Sequence, residues 1–225
     1  VVVLEAHRVG FGASGRNGGQ VGSGQRQDQD WLENTMGVDA AHRLWDLAQD
    51  AKALVRDLIT TYAMPVSFHP GVAHACWSEA EVRHSHAYAA KLAKDYGYDQ
   101  IEPLDRSAIR SLIGSQAYQG VDLDHGAGHI HPLNFAIGLA KAAKDAGAQI
   151  FELSEVLALD QGPHPLVTTA QGQVSCNHVI LAANGYLGGL NREVAAKVMP
   201  INNFIPTTEP LGEMGDGTFL GPVRI

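Results

Sequence analysis

An α/β fold is predicted for this 225-residue chain, and three observations predict it. The chain opens on an apolar run, Val1-Val2-Val3-Leu4, that ends in the acid Glu5. A stretch of unusual glycine density follows, with seven glycines between residues 10 and 24. Strand-and-helix alternation then gives way to a different pattern and returns only after Asp124. A sheet split in sequence accounts for all three, with an α+β block between and after its pieces. The length suffices for one large core or two smaller domains.

Val1 to Leu4 reads as a buried strand from the first residue. Natural domains rarely begin in mid-strand, so a truncated chain is expected. Beyond it, GFGASG at residues 10–15 is a literal G-x-G-x-x-G. A dinucleotide fingerprint needs its first glycine at the turn directly after the strand, and a helix N-terminus facing the pyrophosphate. Here Ala6-His7-Arg8-Val9 intervene, and Arg16-Asn17-Gly18-Gly19-Gln20 is a poor helix interior. So many glycines suit a backbone wrapped closely around a ligand and cost a helix too much entropy. A strand ending in an acid fits the second strand of the dinucleotide-binding fold. Its carboxylate lies about 20 residues past the glycines and accepts hydrogen bonds from a ribose hydroxyl pair. Glu5 is thus expected to be the ribose acid, GFGASG a mimic, and the true fingerprint upstream of residue 1.

From Asp39 the pattern is helical, with Leu44, Leu47, Ala48, Ala51, Leu54, Val55, Leu58 and Ile59 recurring at three and four until Pro65. Val66-Ser67-Phe68 and Val72 to Trp77 read as two strands around His69-Pro70-Gly71. Ser78 with Glu81 forms a capping box for a helix ending near Gly97, and Asp105 caps a short helix closed by Gly114. After Asp124, Pro132 is placed as a first helical residue, and Gly147 stops that helix. Strands follow at 149–153, 156–159 and 166–169, and a buried strand at 177–183 runs into Asn184-Gly185. The cofactor domain is therefore expected in two pieces, 1–62 and 126–190. Substrate-domain pieces are expected at 63–125 and, incomplete, at 191–225.

Composition removes several function classes. A formal charge of -8 argues against a nucleic-acid binder, which needs a basic surface. The two cysteines, Cys76 and Cys176, form no C-x-x-C; they imply two buried thiols and a reducing, cytoplasmic setting. No apolar run approaches the roughly 20 residues of a membrane span, and no signal-peptide pattern is present. His125, His129 and His131 in DHGAGHIHP lack the convergence a zinc site requires, so no metal is expected and a loop lining a cleft is preferred. His84 and His86 are expected on a solvated surface. Ser14 lacks the last glycine of a G-x-S-x-G nucleophile elbow. Arg16, beside the glycines, suits phosphate oxygens better than an idle surface position.

At this point a resemblance becomes specific. VVVLEAHRVGFGASGRNGGQ is similar to the second strand and flavin loop of the FAD-dependent D-amino-acid oxidase superfamily. It is most similar to the bacterial branch that oxidises gamma-glutamylputrescine, glycine or D-amino acids. His131-Pro132, Glu155-Val156, VILAANGY and MPINNFIPTTEPL at 199–211 resemble later family segments, whereas GEMGDGTFLGPVRI at 212–225 has no secure counterpart. The resemblance implies a Rossmann-like FAD domain of the glutathione-reductase type, lacking its first strand, with an interleaved α+β substrate domain. Its cofactor would be FAD. Glu5 would meet the ribose; Ala13, Ser14, Gly15 and Arg16 the pyrophosphate; Asn17, Gly18, Gly19 and Gln20 the flavin ring. Val156 would offer backbone groups to adenine, and Ala182, Ala183 and Gly185 would pass close to the pyrophosphate. The implied reaction is hydride transfer from an amine or amino-acid carbon to flavin, giving an imine that water hydrolyses. The cofactor carries the hard step, so no catalytic residue stands out. Purified alone, the chain is expected to be colourless, to turn over no amine and to self-associate. A non-catalytic binding module and an NAD-dependent dehydrogenase using GFGASG directly are the alternatives.

Overall fold

The computed structural model describes residues 1–113 and 115–205. In chain order the elements begin with strands β1 (Val2–Leu4) and β2 (Gln20–Val21), then helices α1 (Gln29–Met36) and α2 (Val38–Thr61). Next come β3 (His69–Cys76), α3 (Glu79–Asp95), β4 (Ile101–Leu104), α4 (Arg106–Leu112) and β5 (Gly120–His129). The last group is α5 (Pro132–Asp145), β6 (Gln149–Phe151), β7 (Val156–Asp160), β8 (Leu166–Thr169), β9 (Gln173–Ser175), a 3-10 turn (Asn184–Tyr186) and α6 (Arg192–Ala195). The expected stop at Gly114, the end of the 199–211 segment from residue 206, and the 212–225 tail lie outside the described residues. Two compact units form: residues 1–17 with 132–205, and residues 18–131.

The first unit holds the parallel strand pair. β1 and β6 run in register, Val2 opposite Gln149, Val3 opposite Ile150 and Leu4 opposite Phe151. α5 leads into β6: Pro132 opens it, needing no N–H partner there, and Gly147 at φ 92° follows its end. β7 and β8 form where strands are expected, with an irregularity between Val156 and Ala158, and β9, which was not expected, adds a third antiparallel strand. The strand expected at 177–183 does not form. Those residues have no ladder partner among the described residues, and Ile180 is 88% exposed. Hydrophobicity marked the segment, but a strand exists only through a neighbour that takes its hydrogen bonds.

The second unit is built on β5. β3 pairs along one edge of β5 from Gly120 to His129, while β4 and β2 share the other edge at opposite ends. The sequence reading placed DHGAGHIHP in a loop; residues 124–129 instead lie in this central strand. Three glycines and two histidines concealed it, because strand propensity weighs little against pairing on both edges. Of the two strands expected around His69-Pro70-Gly71, the one at Val66-Ser67-Phe68 does not form, while the second begins earlier than expected as β3, with a register shift between Pro70 and Val72 that tolerates the proline. On α2 the buried residues are Ala41, Trp45 and Lys52, whereas Leu47 and Leu54 are exposed. The core gathers Trp45, Leu92 and Tyr98, with Tyr88, Tyr96 and Ile101 against them.

Helix starts follow the capping residues. Asp28 accepts the Trp31 N–H, Ser78 the Glu81 N–H and Asp105 the Ala108 N–H. The Glu81 carboxylate reaches back to the Trp77 N–H at 2.6 Å, one residue before the partner a capping box would use.

Candidate functional site

In the first unit, Glu5 stands at the carboxyl end of β1. Its backbone continues the ladder: the Glu5 N–H donates to Phe151 O, and Glu5 O accepts the Ser154 N–H. One carboxylate oxygen accepts the His7 N–H at 2.8 Å, which orients the acid within its own turn. Ser154 lies two residues before Val156, so this bond ties the strand-end acid to the stretch that leads into β7. Residues 10–17 fold into consecutive tight turns, with Gly15 N–H to Gly12 O at 3.1 Å and Arg16 N–H to Ala13 O at 3.2 Å. The Asn17 amide donates to Ala13 O and Ser14 O. A Cβ on Gly15 would collide with the Gly10 carbonyl oxygen, so only glycine lets the turn close this tightly. Arg16 lies over the Phe11 ring, 4.2 Å from its centre.

No helix follows this glycine turn before α1 at Gln29. GFGASG therefore lacks the helix N-terminus that a phosphate fingerprint requires. Far along the chain, Tyr186 comes to the same place. Its ring lies 3.1 Å from where a Cβ on Gly12 would sit, which brings the 184–186 turn against the glycine turn. Ala182 and Ala183 precede it in exposed backbone, and a Cβ on Gly185 would meet nothing within 4 Å. The contribution of Tyr186 and of Glu152, whose carboxylate takes the Val9 N–H at 2.7 Å, carried no spacing signal in the sequence.

In the second unit, Gly18 is exposed and Gly19 buried, with φ 71°; Gly19 O accepts the Ile130 N–H. Gln20 enters β2 opposite His129. Beyond it lies a group that the sequence reading missed. The Lys52 ammonium, on a residue only 9% exposed, donates to Ser23 Oγ at 2.8 Å and Tyr98 Oη at 3.1 Å. The Tyr98 hydroxyl donates in turn to Asp124 Oδ1 at 2.5 Å, which also accepts the Gly126 and Ala127 N–H groups. Burial pulls the Lys52 pKa below its usual 10.5, against the attraction of Asp124. Burial and then the Asp124 bond push the Tyr98 phenol well above its ordinary value. The available signal was a lysine between Ala48 and Val55 on the inward stripe of α2.

The histidines divide. His125 bonds Glu102 at 2.8 Å, and His69 stacks on His129 with ring centres 5.1 Å apart. His84 is exposed as expected, but His86 is half-buried, 3.6 Å from Asp122, a carboxylate that also accepts the Ser85 hydroxyl. The reason is the position of His86 on α3, which packs over β5. Among the described residues no group of three His, Cys, Asp or Glu could hold a metal ion. Cys76 is buried, but Cys176 is partly exposed because β9 ends just before it at the sheet margin. No helix among the described residues is long and apolar enough to cross a membrane.

A parallel strand pair with an acid at its carboxyl end and a glycine turn beyond defines a class: α/β proteins of the kind that seat dinucleotide cofactors at strand ends. The family model described as DAO, FAD dependent oxidoreductase, matches residues 1–224, and the chain belongs to that family. It is 39% identical over 214 residues to gamma-glutamylputrescine oxidoreductase of Escherichia coli (strain K12), covering 95% of this chain and 50% of that protein. It is 37% identical over 215 residues to the probable oxidoreductase OrdL of Rhizobium meliloti (strain 1021), covering 94% and 50%. The chain thus spans about half the length of the curated relatives it matches. Among solved structures, glycine oxidase from Geobacillus kaustophilus superposes with a TM-score of 0.67 at 21% identity, over 87% of this chain and 51% of that one. L-alpha-glycerophosphate oxidase from Mycoplasma pneumoniae, with FAD bound, gives 0.61 at 18% identity, over 85% and 50%. At these identities the structural likeness is one of fold, and a mixed α/β fold similar to FAD-binding oxidases is what the chain has.

Proposed function

We propose that this chain carries the nucleotide-binding side of an FAD-dependent enzyme that oxidises the C–N bond of a small amine or amino acid. The observation that carries the reading is the meeting of Gly12 with Tyr186, which joins the two turns expected at the pyrophosphate. The residues present fit the cofactor. Glu5 is a strand-end acid already oriented by the His7 N–H, suited to a ribose hydroxyl pair. The turn of Ala13, Ser14, Gly15 and Arg16 would offer backbone and a guanidinium to the pyrophosphate, and Ala182, Ala183 and Gly185 would pass close to it. Val156 would serve adenine, and Asn17, Gly18, Gly19 and Gln20 the flavin ring. Bound FAD would supply the acceptor for the electron pair leaving the C–N carbon, yielding an imine for hydrolysis. The protein's part is to bind and orient. The extended segment at 177–183 has no ladder partner among the described residues, so the chain alone is expected to complete no turnover. A buried thiol in Cys76 suits a cytoplasmic enzyme.

The nicotinamide reading requires a helix at GFGASG, and none follows there among the described residues. The deciding experiment titrates the chain with FAD, following flavin fluorescence, and with NADH in parallel. Saturable quenching by FAD alone supports the proposal. Binding of NADH alone, or of neither, would leave a nicotinamide enzyme or a non-catalytic module.

A further inference from the structure

His129 gains a neighbour that its own DHGAGHIHP segment does not supply. His125, earlier in that segment, is committed to Glu102 of β4. Across the ladder, His69 of β3 stands directly opposite His129 of β5. Residues so placed on antiparallel strands point to the same face of the sheet. Their ring centres are 5.1 Å apart, with the planes 20° from parallel. Among the described residues neither ring has a hydrogen bond or an ion pair, so its nitrogens are uncommitted within the protein. His69 is exposed and His129 half-buried, which leaves the pair open to solvent on one side.

We propose that His69 and His129 hold one divalent first-row metal ion, Zn²⁺ foremost, in a surface site clamped across the β3–β5 ladder. Zn²⁺ takes imidazole nitrogens in tetrahedral geometry at about 2.0–2.1 Å. A ring nitrogen stands about 1.1 Å from its ring centre, so two imidazoles on such an ion keep their centres about 5 Å apart. The pair already has that separation. Only the nitrogens have to be aimed. The Cβ–Cγ bond points through the ring centre, so rotation about this soft torsion turns them toward a shared ion and leaves the centres in place. Among the described residues no third His, Cys, Asp or Glu joins them. Water therefore completes the tetrahedron, and the ion is exchangeable rather than structural. Mg²⁺ prefers oxygen ligands and does not suit two imidazoles. The site is independent of the flavin reading.

The test titrates the 225-residue chain with zinc chloride and, separately, magnesium chloride by calorimetry. Zn²⁺ is expected to bind at one tight site per chain and Mg²⁺ to fail. His69→Gln and His129→Gln should each weaken Zn²⁺ about tenfold or more. His84→Gln, at an exposed histidine on α3, should leave the affinity unchanged. The two ligands meet only in the folded sheet, so Zn²⁺ should also raise the melting temperature of the wild type and of His84→Gln, but not of the other two variants. Paramagnetic Co²⁺ gives a reading on the unmutated chain, which decides the matter even where a variant does not fold. In the NMR spectrum the backbone amide signals of His69 and His129 should broaden before those of His84 and His125. Unchanged Zn²⁺ affinity in His69→Gln or His129→Gln, equal binding of Mg²⁺, or Co²⁺ broadening that begins elsewhere would overturn the proposal.

Discussion

The carboxylate of Glu5 is oriented by its own backbone turn, through the His7 N–H, before any ligand is considered. Such prior orientation lowers the entropy lost on binding. Glu5→Gln should therefore weaken FAD by one to two decades, since a charge-assisted contact is worth roughly 1.5–3 kcal/mol. An unchanged dissociation constant by fluorescence titration would remove Glu5 from the site. Gly15 makes a sharper case: a methyl there meets the Gly10 carbonyl, so Gly15→Ala should open the turn and abolish FAD binding. Far-UV circular dichroism should stay near wild type, because the turn contains no helix. The local geometry of both was signalled in the sequence, by strand-end position and by glycine density, and their part in binding is what these titrations test. Lys52 and Tyr186 were not, because each acts through a partner distant in the chain.

At the level of elements, local chemistry was read well wherever the signal is a cap. Ser78, Asp105 and Pro132 begin their helices as expected, since a cap satisfies N–H groups within three residues of itself. Ser78→Ala should cost about 1 kcal/mol, a fall in melting temperature of about 2–4 °C. Elements defined by distant pairing were harder to see: β5 looked like a loop, and 177–183 looked like a strand. Between α1 and the end of α3, Glu33 accepts from Lys91 at 2.8 Å and Tyr96 at 2.6 Å. The Lys91 bond, then the Tyr96 bond, holds the Glu33 carboxyl below its ordinary 4.5. A lowered acid stabilises the fold above its unfolded value and loses that contribution as pH falls through the folded one. Thermal melts should thus show α1–α3 stability declining below pH 4.5 in the wild type and less steeply in Glu33→Gln. Parallel acid curves for the two would remove this link.

For the molecule as a whole, the first unit presents exposed apolar residues in and beside β1 and in the 177–183 segment. Val1 is 95% exposed, Val2 and Val3 are each 41% exposed, and Ile180 is 88% exposed. Unpaired apolar edges recruit strands from other copies. Sedimentation at rising concentration should show self-association, and Val2→Lys with Ile180→Lys should suppress it. A monomer at every concentration would count against this.

The register of β1 also sets a schedule for synthesis. Val2 pairs with Gln149, so β1 must wait for a partner about 147 residues downstream. At about 5–20 residues per second, that partner is translated roughly 7–30 s later. For that interval a run of three valines and a leucine is without the β6 partner it has in the fold. Loop closure over such a span is slow, and the nascent chain is exposed to wrong partners throughout it. A ribosome-bound chaperone that shields β1 should therefore raise the yield of folded protein more than one supplied after release.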